Sequence, residues 1–177
     1  MPPKFDFAHT TQLENIELLT SRPSRIDFDA GDGLHLVVEA HAPGVFRLRC
    51  GEANHLTDDK PTARARAVAE MLLARQEAVG EATVAPRDDG DGWRIAQGDV
   101  VLELLSNPVR VALYRNEERV LESEVSAHTP AFGHNALDQA EDAVWTAGFT
   151  LQADERVYGL GETPGDLNRR EESVVSD

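Results

Sequence analysis

The chain is poor in cysteine, in basic residues and in long apolar runs, and each shortage excludes a class of protein. Its 177 residues include one cysteine, Cys50, so no disulfide can form within the chain. No apolar run approaches the roughly 20 residues that a membrane-spanning helix needs. Lysine and arginine number 17 against 32 aspartates and glutamates, and a net charge of -15 repels the phosphates of nucleic acids. The composition therefore predicts neither a nucleic-acid partner nor a membrane partner.

The sequence does contain enough apolar material for one core. Apolar residues make up 41% of the chain, which is typical of a globular domain rather than a disordered segment. The stretch from Met1 to Phe7 lacks the apolar run of a signal peptide. Together with the single cysteine, this predicts a cytoplasmic protein. Cys50 alternates with Phe46 and Leu48, so we interpret it as a small core residue rather than a nucleophile.

A period of two between apolar and polar residues dominates the chain from Arg25 to Gln152. Side chains two positions apart lie on the same face of a strand, so each alternating segment predicts a strand with one buried face. Turn-forming residues separate the segments, and Gly98-Asp99 is typical of a two-residue hairpin turn. About nine or ten short strands joined in this way predict an all-β protein, an antiparallel β-sandwich. The predicted strands begin near residues 25, 34, 46, 82, 93, 100, 109, 119 and 145.

One segment follows a helical period instead. Between residues 61 and 79 the apolar side chains recur at intervals close to 3.6 residues. Pro61 suits the first turn of a helix, and Gly80 suits its end. We predict an amphipathic helix over 61–79 that packs on the core or caps a sheet. A long loop and a partner-binding helix are the alternatives.

Signatures of metal binding are weak. The turn from Asp88 to Gly92 has the aspartates of a calcium loop, but Gly90 and Gly92 occupy alternate positions where oxygen ligands are needed. The six histidines have no metal-ligand spacing, so we predict no metal and no cofactor. Residues 126–142 are polar and without a period, and we interpret them as an irregular loop of a length often found near binding surfaces.

The most specific motif is Glu155-Arg-Val-Tyr-Gly-Leu-Gly-Glu162. Gly159 and Gly161 allow positive φ or close backbone approach where a strand ends, and Tyr158 can pack beside them. Glu162 can accept hydrogen bonds from the backbone or from arginine. The residues themselves therefore predict a structural bend.

This motif resembles the one that closes the N-terminal β-sandwich of family 31 glycoside hydrolases, the α-glucosidase and α-xylosidase group. Three weaker blocks precede it in the family's order, at residues 92–103, 109–121 and 145–152. The second block turns on Asn116-Glu-Glu118, where the family usually has Asp-Gly. The resemblance covers roughly residues 25 to 177 and implies a galactose-mutarotase-like sandwich.

The resemblance implies a domain that precedes a catalytic (β/α)8 barrel and has no catalytic residue of its own. It divides the chain into an N-terminal extension (1–24), the sandwich (25–162) and a tail (163–177) leading to the barrel. Asp177 matches a family aspartate that hydrogen-bonds sugar hydroxyls, which predicts a substrate contact. The parent would be a retaining α-glycosidase acting on α-linked oligosaccharides or glycosides. Without the barrel, an exposed apolar face would favour self-association into a homo-oligomer.

Two other functions stay open. An autonomous carbohydrate-binding module needs exposed aromatic side chains. Most of the two Trp, two Tyr and six Phe instead occupy the alternating positions that are predicted to face the core. A stand-alone mutarotase needs a carboxylate and a histidine that converge in a concave sheet. His128 and His134 share the predicted loop, but no spacing places a carboxylate beside them.

Overall fold

The computed structural model describes residues 10–53, 56, 80–123, 131–135, 144–151 and 153, and this part is built almost entirely of β-strands. The strands are β1 (Thr11–Gln12), β2 (Glu17–Arg22), β3 (Arg25–Asp29), β4 (Leu34–Ala42), β5 (Val45–Glu52), β6 (Thr83–Pro86), β7 (Trp93–Gln97), β8 (Val100–Ser106), β9 (Val109–Arg115), β10 (Glu118–Glu122), β11 (Phe132–Asn135) and β12 (Val144–Ala147).

These strands form three antiparallel sheets. One has the order β2-β3-β4-β5, the second β6-β7-β8-β9-β10, and the third, small sheet β1-β11-β12. In both larger sheets, strands that follow one another in sequence lie side by side, because short turns bring the chain straight back. Gln97 pairs with Val100 across the predicted Gly98-Asp99 turn. The predicted all-β antiparallel sandwich is confirmed, whereas the predicted helix at 61–79 lies outside the described residues.

The core lies between the four-stranded and the five-stranded sheet. Alternate residues of each strand point to it, as the period of two predicts. Phe28 is fully buried there, and its ring centroid lies 5.9 Å from that of Trp93. Burial of each such side chain contributes about 1.5–3 kcal/mol. The buried members of this layer are Leu13, Ile16, Ile26, Phe28, Ala30, Leu36, Val38, Ile95, Leu102, Leu104, Val109 and Val111.

The described part of the segment 1–24 belongs to these sheets. β2 pairs with β3, and β1 pairs with β11. Leu13 and Ile16, between β1 and β2, are 3% and 4% exposed. The Val109 amide donates to the Leu13 carbonyl at 2.9 Å and ties this stretch to the five-stranded sheet. The strand β2 is an edge strand with mostly exposed side chains, so its sequence lacks the apolar alternation from which a strand is predicted.

The prediction of an irregular loop over residues 126–142 is wrong for residues 132–135, which the structure describes as a strand. Residues 132–135 form β11, which lies between β1 and β12. The strand is four residues long and includes Gly133 and His134, so backbone pairing rather than a side-chain pattern defines it. After β12 the chain returns to the edge of the five-stranded sheet, where Phe149 bridges Ser123. Over the residues that the structure describes, no helix has the length and apolar character needed to cross a membrane.

Two turns of the five-stranded sheet require unusual backbone conformations. Gly92 has a φ of 118°, and a Cβ atom there would lie 2.1 Å from the Leu104 carbonyl oxygen. Asn116 and Glu117 have φ values of 49° and 68°, so both central residues of the β9–β10 turn are left-handed, as in a type I′ turn. Asparagine tolerates this region, whereas glutamate carries a steric penalty.

Replacing Glu117 by glycine should stabilise the protein. The substitution removes a left-handed penalty of about 1–2 kcal/mol, and the larger backbone entropy of glycine in the unfolded chain offsets part of it. We expect a gain of roughly 0.5–1 kcal/mol in the free energy of unfolding, measured by urea denaturation. Glu118→Gly, one residue later in β10, is the matched control and should destabilise. Equal effects of the two changes would contradict the interpretation.

Candidate functional site

The structure does not describe the residues that the sequence singles out as a site. Asp177 and the tail 163–177 lie outside the described residues, as do Tyr158, Gly159, Gly161, Glu162 and His128. His134 is described and stands in β11, where it pairs with Thr11 and Trp145 on the neighbouring strands. Among the described residues, the polar side chains that sequence reasoning missed gather on the outer faces of the two larger sheets.

The most heavily buried charges lie on the outer face of the four-stranded sheet, which is the face away from the core. Register places Arg25, Glu39 and Arg47 in one row across β3, β4 and β5. Glu39 has a side chain only 3% exposed and accepts hydrogen bonds from Arg47 Nε at 2.6 Å and from Arg49 Nη2 at 3.0 Å. We call this group the ionic cluster, and its members are Arg25, Asp27, Glu39, Arg47 and Arg49.

Asp27 is the second carboxylate of the ionic cluster. Arg25 donates to its Oδ1 from Nε at 2.9 Å and from Nη2 at 2.7 Å, and the Thr20 hydroxyl donates to its Oδ2 at 3.0 Å. Burial raises the pKa of Asp27, but the hydrogen bonds from Arg25, Thr20 and Arg22 outweigh it, and the pKa lies below its ordinary value. Asp27 is therefore ionised at neutral pH and acts as an anchor for arginine rather than as a proton donor.

The side chains of the ionic cluster are largely buried, and their charges are paired with one another. Val37, between Asp27 and Arg49 in register, is fully buried on the same face. The Leu56 carbonyl accepts a hydrogen bond from Arg25 Nη1 at 3.4 Å, and Leu56 is 5% exposed. Taking charges out of water is costly unless hydrogen bonds satisfy them, which explains the many arginine contacts to two carboxylates. We therefore interpret the cluster as part of the structural framework, an interpretation that the following substitution tests.

Glu39→Gln keeps the shape of the side chain but removes the charge that the cluster's arginines share. Removing one partner of a buried ion pair costs about 3–5 kcal/mol, because it leaves buried charge without compensation. We expect a loss of this size in the free energy of unfolding, measured by urea denaturation. Glu52→Gln, at the exposed end of β5, is the control and should stay within about 0.5 kcal/mol of the parent. A Glu39 variant that behaves like this control would show that the charge is solvated.

A small apolar cavity of about 200 Å³ lies where the small sheet meets β4 and β5. Cys50 contributes to its wall and also packs against the core, in agreement with its interpretation as a small core residue. Burial raises the pKa of the Cys50 thiol to about 11, so the thiol is neutral at physiological pH. The other lining residues are Leu13, Leu36, Leu48, Arg49, Phe132, Gly133, Thr146 and Ala147.

Cys50 should therefore react slowly with thiol reagents in the folded protein. A shift of the pKa from 9.0 to about 11 lowers the thiolate fraction near neutral pH by roughly a hundredfold, and only the thiolate reacts. Labelling with Ellman's reagent at pH 7.5 measures the rate. The same chain in concentrated urea is the control and should react at the rate of an exposed cysteine. Equal rates in the two conditions would contradict the burial of the thiol.

The outer face of the five-stranded sheet carries a shallow depression of about 510 Å³. Arg94 of β7 stands opposite Glu103 of β8, with 3.7 Å between Nη1 and Oε1. Tyr114 of β9 stands opposite Val101 of β8. We call this depression the outer concavity. Its lining residues are Arg94, Gly98, Asp99, Val101, Glu103, Tyr114, Asn116 and Glu117.

The sequence carries one signal for the outer concavity. Arg94, Val101, Glu103 and Tyr114 occupy the positions that alternate with core residues, so the period of two places them together on the outer face. What the pattern does not reveal is that the turns 98–99 and 116–117 close one end of the depression. These turns are joined by a hydrogen bond from the Asn116 amide to the Asp99 carbonyl at 3.0 Å.

The turn with the calcium-like spacing is held by an arginine. Arg87 donates to Asp89 from Nη2 at 2.8 Å, and the Asp91 amide donates to Asp89 Oδ1 at 3.1 Å. The hydrogen bonds from Arg87, the largest cause, lower the pKa of Asp89 to about 2. Within the described ranges, no three His, Cys, Asp or Glu side chains come close enough to share a metal ion.

Comparison with known proteins identifies the family. A family model for the glycosyl hydrolase 31 N-terminal galactose mutarotase-like domain matches residues 35–175. The chain belongs to this family, and the resemblance drawn from its motif is confirmed. No curated protein matches the chain.

Solved structures share the fold at low sequence identity. A GH31 dextranase from Flavobacterium johnsoniae complexed with glucose has a TM-score of 0.62 and 14% identity, covering 90% of this chain and 18% of the dextranase. A mutant of that enzyme complexed with isomaltotriose gives a TM-score of 0.62 and 15% identity over the same shares of the two chains. An uncharacterized protein from Listeria monocytogenes EGD-e has a TM-score of 0.59 and 14% identity, covering 92% of this chain and 14% of that protein. The chain thus spans less than a fifth of the length of these proteins.

Proposed function

We propose that the chain is the non-catalytic N-terminal domain of a family 31 α-glycoside hydrolase, in which it packs on a catalytic barrel and contributes a loop to carbohydrate binding. The observation that carries this proposal is the match of residues 35–175 to the family's N-terminal domain. The small share of the neighbours' length that the chain covers supports a role as one domain among several. The single cysteine, Cys50, supports a cytoplasmic location.

The described carboxylates support the absence of catalysis. Retaining hydrolysis needs a nucleophile and an acid/base carboxyl group about 5–5.5 Å apart on either side of the scissile bond. The carboxylates Asp27, Glu39 and Glu103 each contact arginine. Burial raises the pKa of Asp27, but its contacts with Arg25, Thr20 and Arg22 hold that pKa below its ordinary value, so Asp27 makes a poor proton donor at neutral pH. The catalytic pair of the parent protein therefore belongs, in this proposal, to the barrel.

The tail supplies the substrate contact in this proposal. Residues 163–177 connect the sandwich to the barrel, and Asp177 hydrogen-bonds the hydroxyls of an α-linked glycoside. The bend predicted for Tyr158 to Glu162 would direct the chain from the sandwich into that connection. The complexes of the structural neighbours with glucose and isomaltotriose favour glucose-containing substrates. A chain separated from the barrel exposes the packing face, which favours a homo-oligomer of the isolated domain.

The reading frame of the gene beyond codon 177 tests the proposal. We expect the reading frame to continue beyond codon 177 into a (β/α)8 barrel, and the longer product to hydrolyse p-nitrophenyl α-D-glucopyranoside. The purified 177-residue chain should not hydrolyse it. Turnover by the purified chain above that of a mock preparation from the same host would refute the non-catalytic role.

In that longer protein, Asp177→Asn should lower kcat/KM for the glucoside by about 10–100-fold. A hydrogen bond to a charged group contributes about 1.5–3 kcal/mol, and each 1.4 kcal/mol corresponds to a factor of ten. Circular dichroism should be unchanged, because the residue contacts substrate rather than the core. Glu52→Gln, on the sandwich surface, is the control and should retain kcat/KM. Equal kcat/KM for the Asp177 variant and the parent would remove Asp177 from the substrate site.

A further inference from the structure

We infer that the outer concavity binds a neutral sugar, which stacks on the Tyr114 ring while the Arg94–Glu103 pair hydrogen-bonds its hydroxyls. This inference goes beyond the proposed function, which assigns sugar recognition to Asp177 and the tail. It rests on the described face of the five-stranded sheet alone, so it can fail while the proposed function stands.

Strand register gives the depression its shape. Val101 forms its floor, with Tyr114 beside it on β9 and Ala96 beside it on β7. Alanine at 96, and again at 112 next to Glu103, keeps the surface low beside the taller Arg94 and Tyr114 side chains. The volume of about 510 Å³ lies within the range of roughly 300–1,000 Å³ that is usual for small-molecule sites.

The rim of the concavity is fixed before any ligand binds. The Asn116 amide donates to the Asp99 carbonyl, which joins the β7–β8 turn to the β9–β10 turn. Glu103 is 16% exposed and is held by Arg87 as well as by Arg94. A site whose groups are already oriented loses less conformational entropy on binding. Tyr114 is half-buried on this face, so its ring offers a contact surface to a ligand and loses little conformational entropy on binding.

The charge balance favours a neutral ligand over an ion. Arg94 is 49% exposed and would repel a cation lying against Tyr114. Asp99 and Glu117 at the rim, together with Glu103, would repel an anion. The Arg94 guanidinium and the Glu103 carboxylate stand side by side, 3.7 Å apart, and so offer donors next to an acceptor. Adjacent sugar hydroxyls both donate and accept, and they match such a pair without adding net charge.

Titration of the full 177-residue chain, followed by ¹H–¹⁵N NMR, tests the inference. The probes are isomaltotriose as the neutral sugar, tetramethylammonium chloride as the cation and inorganic phosphate as the anion. We expect isomaltotriose to give saturable shifts at residues 98–99 and 114–117, with little dependence on salt. Neither ion should do so. Saturable shifts there with an ion but not with the sugar, or with none of the three probes, would overturn the inference.

Variants identify the contacts. Tyr114→Ala should raise the dissociation constant for isomaltotriose by about tenfold. Tyr114→Phe keeps the ring, so its dissociation constant should stay within about twofold of the parent value. Arg94→Gln changes an exposed side chain and should leave the fold intact, and it should raise the dissociation constant for isomaltotriose several-fold. Phe149→Ala removes an exposed aromatic outside the concavity and is the matched control, with no change expected. Parent-like binding by both Arg94→Gln and a folded Tyr114→Ala protein, or equal losses in the Phe149 and Tyr114 alanine variants, would refute the site.

Discussion

The fold depends on the burial of both faces of strand β4. Leu36 and Val38 point into the core, while Val37 and Glu39, on the opposite face, are also buried. Apolar residues satisfy the core side by packing, but the outer side contains a carboxylate that cannot be left without partners. The neighbouring strands must therefore bring arginines to Glu39 in one register, because a slip of one residue would turn each of these side chains to the other face. Packing and charge pairing thus specify the same alignment of β3, β4 and β5.

The five-stranded sheet meets a different requirement. Its inner face completes the core, but its outer face is open enough for Arg94 to be half exposed and for a depression to form beside Tyr114. The two larger sheets therefore divide the work. The four-stranded sheet carries a carboxylate, Glu39, that is only 3% exposed, whereas on the five-stranded sheet Glu103 is 16% and Arg94 is 49% exposed. This division follows from which outer face is covered, and not from the composition of the strands, since both sheets alternate apolar and charged residues.

That distinction also marks the limit of what could be predicted from the sequence. The strands β3 to β5 and β7 to β9 were predictable because one face of each enters the core, which forces a period of two. Strands β2 and β11 were not, since β2 is an exposed edge and β11 is short and defined by backbone pairing. Arg25 and Asp27 looked like the solvated positions of an alternating strand, because alternation does not reveal whether a second layer covers the polar face. Glu39 also occupies a polar position of an alternating strand, and its burial could not be predicted for the same reason.

The motif and the tail are a separate case, since their recognition came from resemblance and they lie outside the described residues. The family assignment agrees with the resemblance drawn from Tyr158-Gly-Leu-Gly-Glu162, and the matched residues 35–175 include both this motif and the periodic segments. Periodicity reports only which face is buried, and many all-β domains share it. A motif with two glycines in fixed positions reports a particular backbone path, and few proteins share that.

Strand β10 ends the five-stranded sheet, and its exposed edge would ordinarily invite a strand from another molecule. Its pairing with β9 shifts register between Arg119 and Leu121, which interrupts a regular ladder. The chain itself returns to its far end, where the Thr150 amide donates to the Glu122 carbonyl at 2.9 Å. Charged side chains at 118, 119 and 122 add a further obstacle to a foreign strand. This edge of the five-stranded sheet is thus blocked against the runaway strand addition that leads to aggregation.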